Sequence, residues 1–373
     1  MLEFIRIQRF KILLDATFPL SALNLFSGLN GMGKSSLIQT LLLLRQSYEK
    51  NTLFHKGLLL NGEYISLGIG QDIISENETE PVEFLLKWTE KEALNVSFKY
   101  VSQSDLQPIS DLQPIEKSAN FSSPETVNLF NRNFQYLSAE RVSPKSFYDV
   151  SDYHIQDLNS LGNHGEYTAH FISENESKSL SISKLKHDSS VSLSLLENLN
   201  HWMSEISPGT DIHAIVQPQL STVSLSYAFK QGNDKTAYFK PQNVGFGITY
   251  VLPVITAILR SKPGDLLIIE NPESHLHPAG QAVIGRMCAI AAENGAQLFI
   301  ETHSDHFLNA VRVAVKDKVI HHDNVKLFYL ERDSSSSIHA STVKTPQIDG
   351  NGRLDFWPAG FFDEWNIQLE KLL

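Results

Sequence analysis

The sequence predicts an α/β protein with a mixed central sheet, an antiparallel β subdomain and an inserted, mainly helical arm. Three observations carry that prediction. The first is Gly28-Leu29-Asn30-Gly31-Met32-Gly33-Lys34-Ser35, which fits G-x-x-x-x-G-K-[ST], a loop that cradles phosphate. It stands between an apolar strand pattern and an apolar helix pattern, the context such a loop requires. The second is a pair of continuous apolar runs, 265–270 and 296–301, each followed by a helical pattern. Runs of that kind mark central parallel strands covered on both faces. The third is the pair 82–88 and 94–101, spaced as antiparallel neighbours.

Bulk properties bound the function classes. The chain has 373 residues, a hydrophobic fraction of 42% and a charged fraction of 20%, the balance of a globular protein. The net charge of −11 argues against a uniformly basic nucleic-acid surface, although a local basic groove is compatible with it. The single cysteine, Cys288, excludes an internal disulfide and a Cys-rich zinc site. It lies in an apolar helical stretch and reads as a buried structural thiol suited to a reducing cytosol. The amino end carries no signal-peptide pattern, and no apolar run approaches the length of a membrane span. A cytoplasmic location is therefore expected.

Taken in order, residues 2–7 read as an edge-type strand. A second strand runs from about Ala16 to Leu20, or onward to Phe26. The apolar run Leu20–Phe26 leads into the phosphate loop, and a helix leads out of it, ending near Tyr48. Residues 57–70 hold short strands and turns. Residues 102–131 contain a tandem copy, Ser104–Ile109 and Ser110–Ile115, and read as a surface excursion. A short strand follows at Phe134–Leu137. From 144 to 210 the chain is polar, with helical spacing over Leu193–Ile206, and is read as the inserted helical arm. Strands are expected at 212–216, 223–229 and 236–239, and a helix at 247–259. A helix from about Ala279 to Asn294 lies between the two core strands, another begins near Ser304, and strands follow at 325–330 and 338–343. The expected organisation is 1–143 and 211–345 as the two parts of one head, 144–210 as an insertion and 346–373 as an aromatic tail.

Three further stretches carry chemistry. Leu266–Pro278 reads L-L-I-I-E-N-P-E-S-H-L-H-P, a core strand whose acid emerges at the carboxyl edge, where open α/β sheets bind ligands. Glu270 is placed to orient Mg²⁺ or its water shell. Glu273 is placed to accept a proton from a water attacking a γ-phosphate. His275 and His277 lack zincin spacing and a third ligand, and read as a turn packed on a neighbouring subunit. His303, at the next strand end, can donate to a γ-phosphate oxygen. Asn243-Val244-Gly245-Phe246-Gly247 opens a helix, either as an anion site or as a plain cap.

In this order the motifs resemble an ABC-class ATPase head of the RecF/SMC/OLD-like group. The nearest likeness is to bacterial AAA-type ATPases with a Trp-Pro-x-Gly-Phe-Phe-Asp-Glu tail, here Trp357–Glu364. The resemblance implies ATP and Mg²⁺ as cofactors. Lys34 matches the Walker A lysine and Ser35 the Mg²⁺ ligand, with Asn30, Gly31, Gly33 and Ser36 around the phosphates. Glu270 stands at the Walker B acid. Asn271 occupies the position usual for the catalytic acid, so Glu273 is the nearest acid for that role. His303 matches the switch histidine. Asn243 and Gly245 resemble the signature loop without its L-S-G-G-Q sequence, and Gln71 is the candidate Q-loop metal ligand. Arg9-Phe10-Lys11 resembles a strand-end motif near the nucleotide base, with Arg9 where that motif has Asn.

Because signature loops of such heads complete a partner's site, the resemblance implies a homodimer around ATP. It further implies gating of a separately encoded effector, or action on DNA or RNA, in phage defence or genome maintenance. A non-hydrolysing, nucleotide-dependent scaffold is the alternative. Too few residues follow His303 for a nuclease domain besides the closing strands, so no nuclease activity is expected in this chain. Transport is poorly supported, since membrane segment and standard signature are both absent.

Overall fold

The computed structural model of the chain describes all residues except 90–91, 112–114, 119–120, 122, 233, 334–338, 364–367 and 373. The described residues form two units. Unit 1 comprises Met1–Asn131, Val325–Ile348 and Leu354–Leu373; unit 2 comprises Arg132–Asn324 and Asp349–Arg353.

Unit 1 begins with β1 (Leu2–Phe10), β2 (Leu13–Pro19), β3 (Leu23–Gly28) and α1 (Lys34–Glu49). Then come β4 (Gly57–Leu59), β5 (Val82–Trp88), β6 (Ala93–Phe98), β7 (Leu106–Pro108) and β8 (Glu116–Lys117). An antiparallel sheet runs β2-β1-β5-β6-β8. Alternation of apolar and polar residues, as at Leu2, Ile5, Ile7 and Phe10 in β1, buries one face of it. α1 is favoured by the helix propensity of Leu37 and Leu41 to Leu44 and by burial of these residues and Ile38.

Unit 2 carries β9 (Phe134–Leu137), β10 (Phe147–Asp149), α2 (Thr168–Asn175), α3 (Leu195–Ile206), β11 (Thr210–Gln217), β12 (Thr222–Gln231) and β13 (Asp234–Lys235). It continues with α4 (Phe246–Leu259), β14 (Leu266–Glu270), α5 (Pro278–Glu293), β15 (Gln297–Glu301) and α6 (Asp305–Lys316). β9 and β15 flank β14, all parallel. Every residue of β14 except Glu270 is buried, so the run of aliphatics is explained by cover on both faces. β10, β12 and β11 form a separate antiparallel sheet. Cys288 is buried in α5, and burial pushes its thiol up.

The chain returns to unit 1 with β16 (Val325–Arg332) and β17 (Ser341–Lys344). β16 pairs parallel with β3 and antiparallel with β17, a mixed arrangement. Phe26 and Phe328 stack at 5.0 Å between ring centres, with Phe18 edge-on to Phe328 at 5.5 Å. This trio anchors the strand that delivers the phosphate loop.

Several expectations are corrected. β1 is an interior strand, paired on both sides; its alternation is the same as an edge strand would show. Of the two ends expected for the second strand the nearer is observed: β2 stops at Pro19, and β3, from Leu23, belongs to a different sheet. The strand is interrupted at 20–22, where the side chain of Asn24, inside β3, accepts from Ser21 N at 2.9 Å and donates to Ser21 O at 2.7 Å. The 102–131 segment is more than a surface excursion. The first repeat copy supplies β7, which pairs with β4 and buries Gln107, while Phe121, Val127, Leu129 and Phe130 are buried further on. Part of the second copy, 112–114, lies outside the described residues. The strand expected at 236–239 is reduced to β13 and a bridge from Phe239 to Tyr227. Ile338, expected in the last strand, also lies outside the described residues. In the tail, Phe361 is buried edge-on against Tyr329 at 5.4 Å, whereas Phe356 and Trp357 are exposed. Glu364 and Trp365 lie outside the described residues.

Candidate nucleotide site

In unit 1 the phosphate loop joins β3 to α1. Gly33 has φ 94°, and a Cβ there would stand 2.9 Å from Ile12 Cγ2 and 3.0 Å from Leu13 Cδ2. Glycine is therefore required by conformation and by space. No side chain caps the amino end of α1, whose first-turn N–H groups and dipole favour an anion at that end. Lys34 is 4% exposed and folds back over the loop, its Nζ donating to Gly28 O at 2.9 Å and to Leu29 O at 3.0 Å. Asn30, Gly31 and Ser35 are exposed, while Ser36 is buried.

A cavity of about 520 Å³ opens over this loop, lined in part by Gly31, Gly33, Lys34, Ser35 and Ser36. Lys11 also lines it and donates to Gln39 Oε1 at 2.7 Å. Burial lowers the Lys11 pKa, with Asp72 acting against that shift. Asp72, Glu76 and His339 complete the wall, the His339 N–H donating to Glu76 Oε2 at 2.8 Å. These three carry no motif and come from distant stretches, so nothing in the sequence pointed to them. Gln71 is exposed and accepts from Gln103 Nε2 at 3.2 Å; it is Asp72, the next residue, that lines the cavity.

In unit 2, Glu270 ends β14 with its carboxylate held by the Tyr136 hydroxyl at 3.1 Å and the Ala139 N–H at 3.2 Å. Burial raises its pKa, and those two donors work against the rise. Arg141 lies beneath, its guanidinium donating to Glu270 O and, at 3.2 Å, to Asn271 O, with its charge 5.0 Å from the Tyr250 ring centre. Burial lowers the Arg141 pKa to about 10. Sequence reasoning missed Arg141, although it closely follows β9 in Ser138-Ala139-Glu140-Arg141.

Asn271 has φ 44° and turns the chain sharply after the strand. That turn brings Glu273 to His303, whose N–H donates to Glu273 Oε1 at 2.8 Å. Glu273 is 9% exposed, and its Oε2 is buried without a hydrogen-bond partner among the described residues. Burial raises its pKa, the first requirement of a base working near neutrality. The His303 side chain is exposed just before α6, where Ser304 caps the helix by accepting from Phe307 N at 2.9 Å.

Asn243 and Gly245 are exposed at the start of α4. A Cβ on Gly247 would lie 2.4 Å from His275 O, so this loop and the turn after β14 touch only because residue 247 is glycine. The two histidines of that turn, both exposed, also make contacts within the chain. His275 packs on Phe246 and Tyr250 at 4.8 and 4.9 Å, and His277 Nδ1 caps α5 by accepting from Ala279 N at 3.3 Å.

Among the described residues, the one cluster of three metal-capable groups is the adjacent trio His321, His322 and Asp323, none of them a predicted site residue. The Ser35 hydroxyl in unit 1 and the Glu270 carboxylate in unit 2 are each hard oxygen donors, the kind Mg²⁺ takes. No helix among the described residues is long and apolar enough to cross a membrane.

A family described as "AAA domain, putative AbiEii toxin, Type IV TA system" matches residues 88–309, more than half of the chain. That span includes the Glu270, Glu273 and His303 region and begins after the phosphate loop. A second family, described as a protein of unknown function (DUF3696), matches residues 320–372. No curated protein matches. Among solved structures, the chain is similar to an SMC head bound to the C-winged helix domain of ScpA, at 13% identity and a TM-score of 0.57, covering 93% of this chain and 98% of that one. It is also similar to a Pyrococcus furiosus SMC head domain with an extended coiled coil, bound to the C-terminal domain of ScpA. There the identity is 12% and the TM-score 0.51, covering 100% of this chain and 99% of that one. At such identity the likeness concerns the fold. The chain belongs to the AAA-domain family so described, and it carries the fold of an SMC-type ATPase head of the ABC class.

Proposed function

We propose that this chain binds MgATP, hydrolyses it and uses the cycle as a switch of association. The observation that carries the proposal is the phosphate loop: Gly33 in a conformation only glycine favours, an uncapped helix start and a buried lysine folded over the loop. In this proposal Lys34 swings from Gly28 O and Leu29 O to the β- and γ-phosphates. N–H groups around Asn30, Gly31 and Gly33, with Ser36, bind the phosphate oxygens. Ser35 and Glu270 hold Mg²⁺, with Gln71 as a further candidate ligand. The metal supplies charge neutralisation at the phosphates. Glu273 takes the proton of the attacking water, and His303 donates to the γ-phosphate. The raised Glu273 pKa and its unpartnered oxygen support that assignment.

Asn243 and Gly245 would act on the nucleotide of a second copy; their exposure at the start of α4 supports this. ATP would then join two heads, and hydrolysis would release them, an ordinary linkage between ligand and association. The switch would act on a separately encoded effector or on DNA or RNA, in phage defence or genome maintenance; the family description, a putative toxin of a toxin–antitoxin system, is compatible with action through a partner. The parts proposed for this cycle are 1–143 and 211–345 as the head, with 144–210 and 346–373 as accessory segments.

A second proposal, a scaffold that binds ATP without turnover, rests on Asn271 following Glu270 where heads of this kind carry their acid. Phosphate release by the purified chain, with its mass in solution followed in the same samples, separates the two. Turnover with an ATP-dependent dimer supports the switch. Binding without turnover supports the scaffold, and absence of binding refutes both.

A further inference from the structure

Unit 2 contains a cavity of about 640 Å³ beside the carboxyl end of α4. Four cationic side chains line it, Arg132, Lys178, Arg260 and Lys262, against two acidic ones, Asp157 and Glu174. In a chain of net charge −11 that is a local reversal of sign. Arg260 is 9% exposed, and its Nε and Nη1 are buried without a hydrogen-bond partner among the described residues. Its Nη2 has one long contact, to Gln135 Oε1 at 3.4 Å. The charge of Asp265 acts on Arg260, yet Asp265 Oδ1 is also without a hydrogen-bond partner among the described residues. Burial lowers the Arg260 pKa to about 10, consistent with a guanidinium held at a cost. Phe171 and Ile155, both buried, give the same cavity an apolar wall.

A buried, under-bonded arginine in a polar cavity of net positive lining is suited to an anion with several acceptor oxygens. An apolar wall beside it suits an organic group attached to that anion. We infer that this cavity is a second ligand site, separate from the phosphate loop, that takes a small phosphate-bearing molecule. Arg260 supplies the buried charge, Lys178 and Lys262 the outer charges, and Phe171 the contact for the organic part.

The test uses the full chain carrying Lys34→Ala, which weakens the phosphate loop as a competitor. Inorganic pyrophosphate and adenosine monophosphate are titrated into it by calorimetry. Saturable binding is expected for at least one probe, and tighter binding of adenosine monophosphate would locate the organic part at Phe171. Adding Arg260→Gln should lower the affinity at least tenfold. Because Arg260 is buried and that variant could misfold, the pair Lys178→Gln and Lys262→Gln serves as a second probe and should weaken binding at least tenfold with the fold intact. Absence of binding at millimolar probe, or affinity unchanged in the double lysine variant, overturns the inference. So does displacement of bound probe by an oligonucleotide that binds more tightly than either small anion.

Discussion

Replacing Glu273 with glutamine separates chemistry from folding. The side chain is 9% exposed, and one oxygen accepts the His303 N–H at 2.8 Å while the other has no hydrogen-bond partner among the described residues. Glutamine matches the shape and keeps the accepting oxygen. It removes a charge that burial disfavours, as the raised pKa of Glu273 indicates. An uncharged amide costs less to bury than a carboxylate, so the variant should unfold at the same denaturant concentration as the parent or a higher one. Loss of a general base costs about 10² to 10⁴ in rate, roughly 3 to 5 kcal/mol of barrier. Phosphate release at saturating MgATP should fall by that factor while the nucleotide is still bound. The parent rate should rise with pH through a pKa above the ordinary carboxyl value, since the ionised form is the active one. Turnover within about threefold of the parent would refute the role of Glu273. A rate loss accompanied by clear destabilisation would refute the reasoning about burial.

Two further variants probe the frame. Gly33→Ala adds a Cβ 2.9 Å from Ile12 Cγ2 at φ 94°, and should lose roughly 2 to 4 kcal/mol by chemical denaturation along with nucleotide binding. Asp265 is 1% exposed, and burial pushes its pKa from 3.8 up to about 6. A carboxyl whose folded pKa is raised stabilises the fold when protonated. Its contribution is present below pH 3.8 and is lost as pH rises through about 6, a total of about 3 kcal/mol. Asp265→Asn should therefore flatten unfolding stability across that window; an unchanged slope would remove Asp265 as its cause.

The fold was most legible where both faces of a strand are buried. β14 and β15 announce themselves as short, largely apolar runs, and such runs need no partner to be read. Pairing was less legible. β1 alternates as an edge strand would, and only contact with β2 and β5 makes it interior. The break between β2 and β3, where the Asn24 side chain bonds to Ser21, is concealed by an apolar run. At the site, residues within motifs were readable: Lys34 and Glu270 follow from local spacing. Asp72, Glu76 and His339 are neighbours of the phosphate loop only through tertiary structure. Arg141 is buried beneath the turn after β14 by packing on Tyr250, which leaves no local pattern.

Equilibrium binding of MgATP to the parent chain and to Lys34→Ala, measured by calorimetry, tests the central claim most directly. Lys34 is the one loop side chain whose charge would be placed on the phosphates, and a charge-assisted bond contributes about 1.5 to 3 kcal/mol. With two such bonds, binding to the parent and at least a hundredfold loss in the variant, about 2.7 kcal/mol, is the predicted result. Equal affinity of the two proteins, or no binding by the parent, would contradict a nucleotide held at this loop.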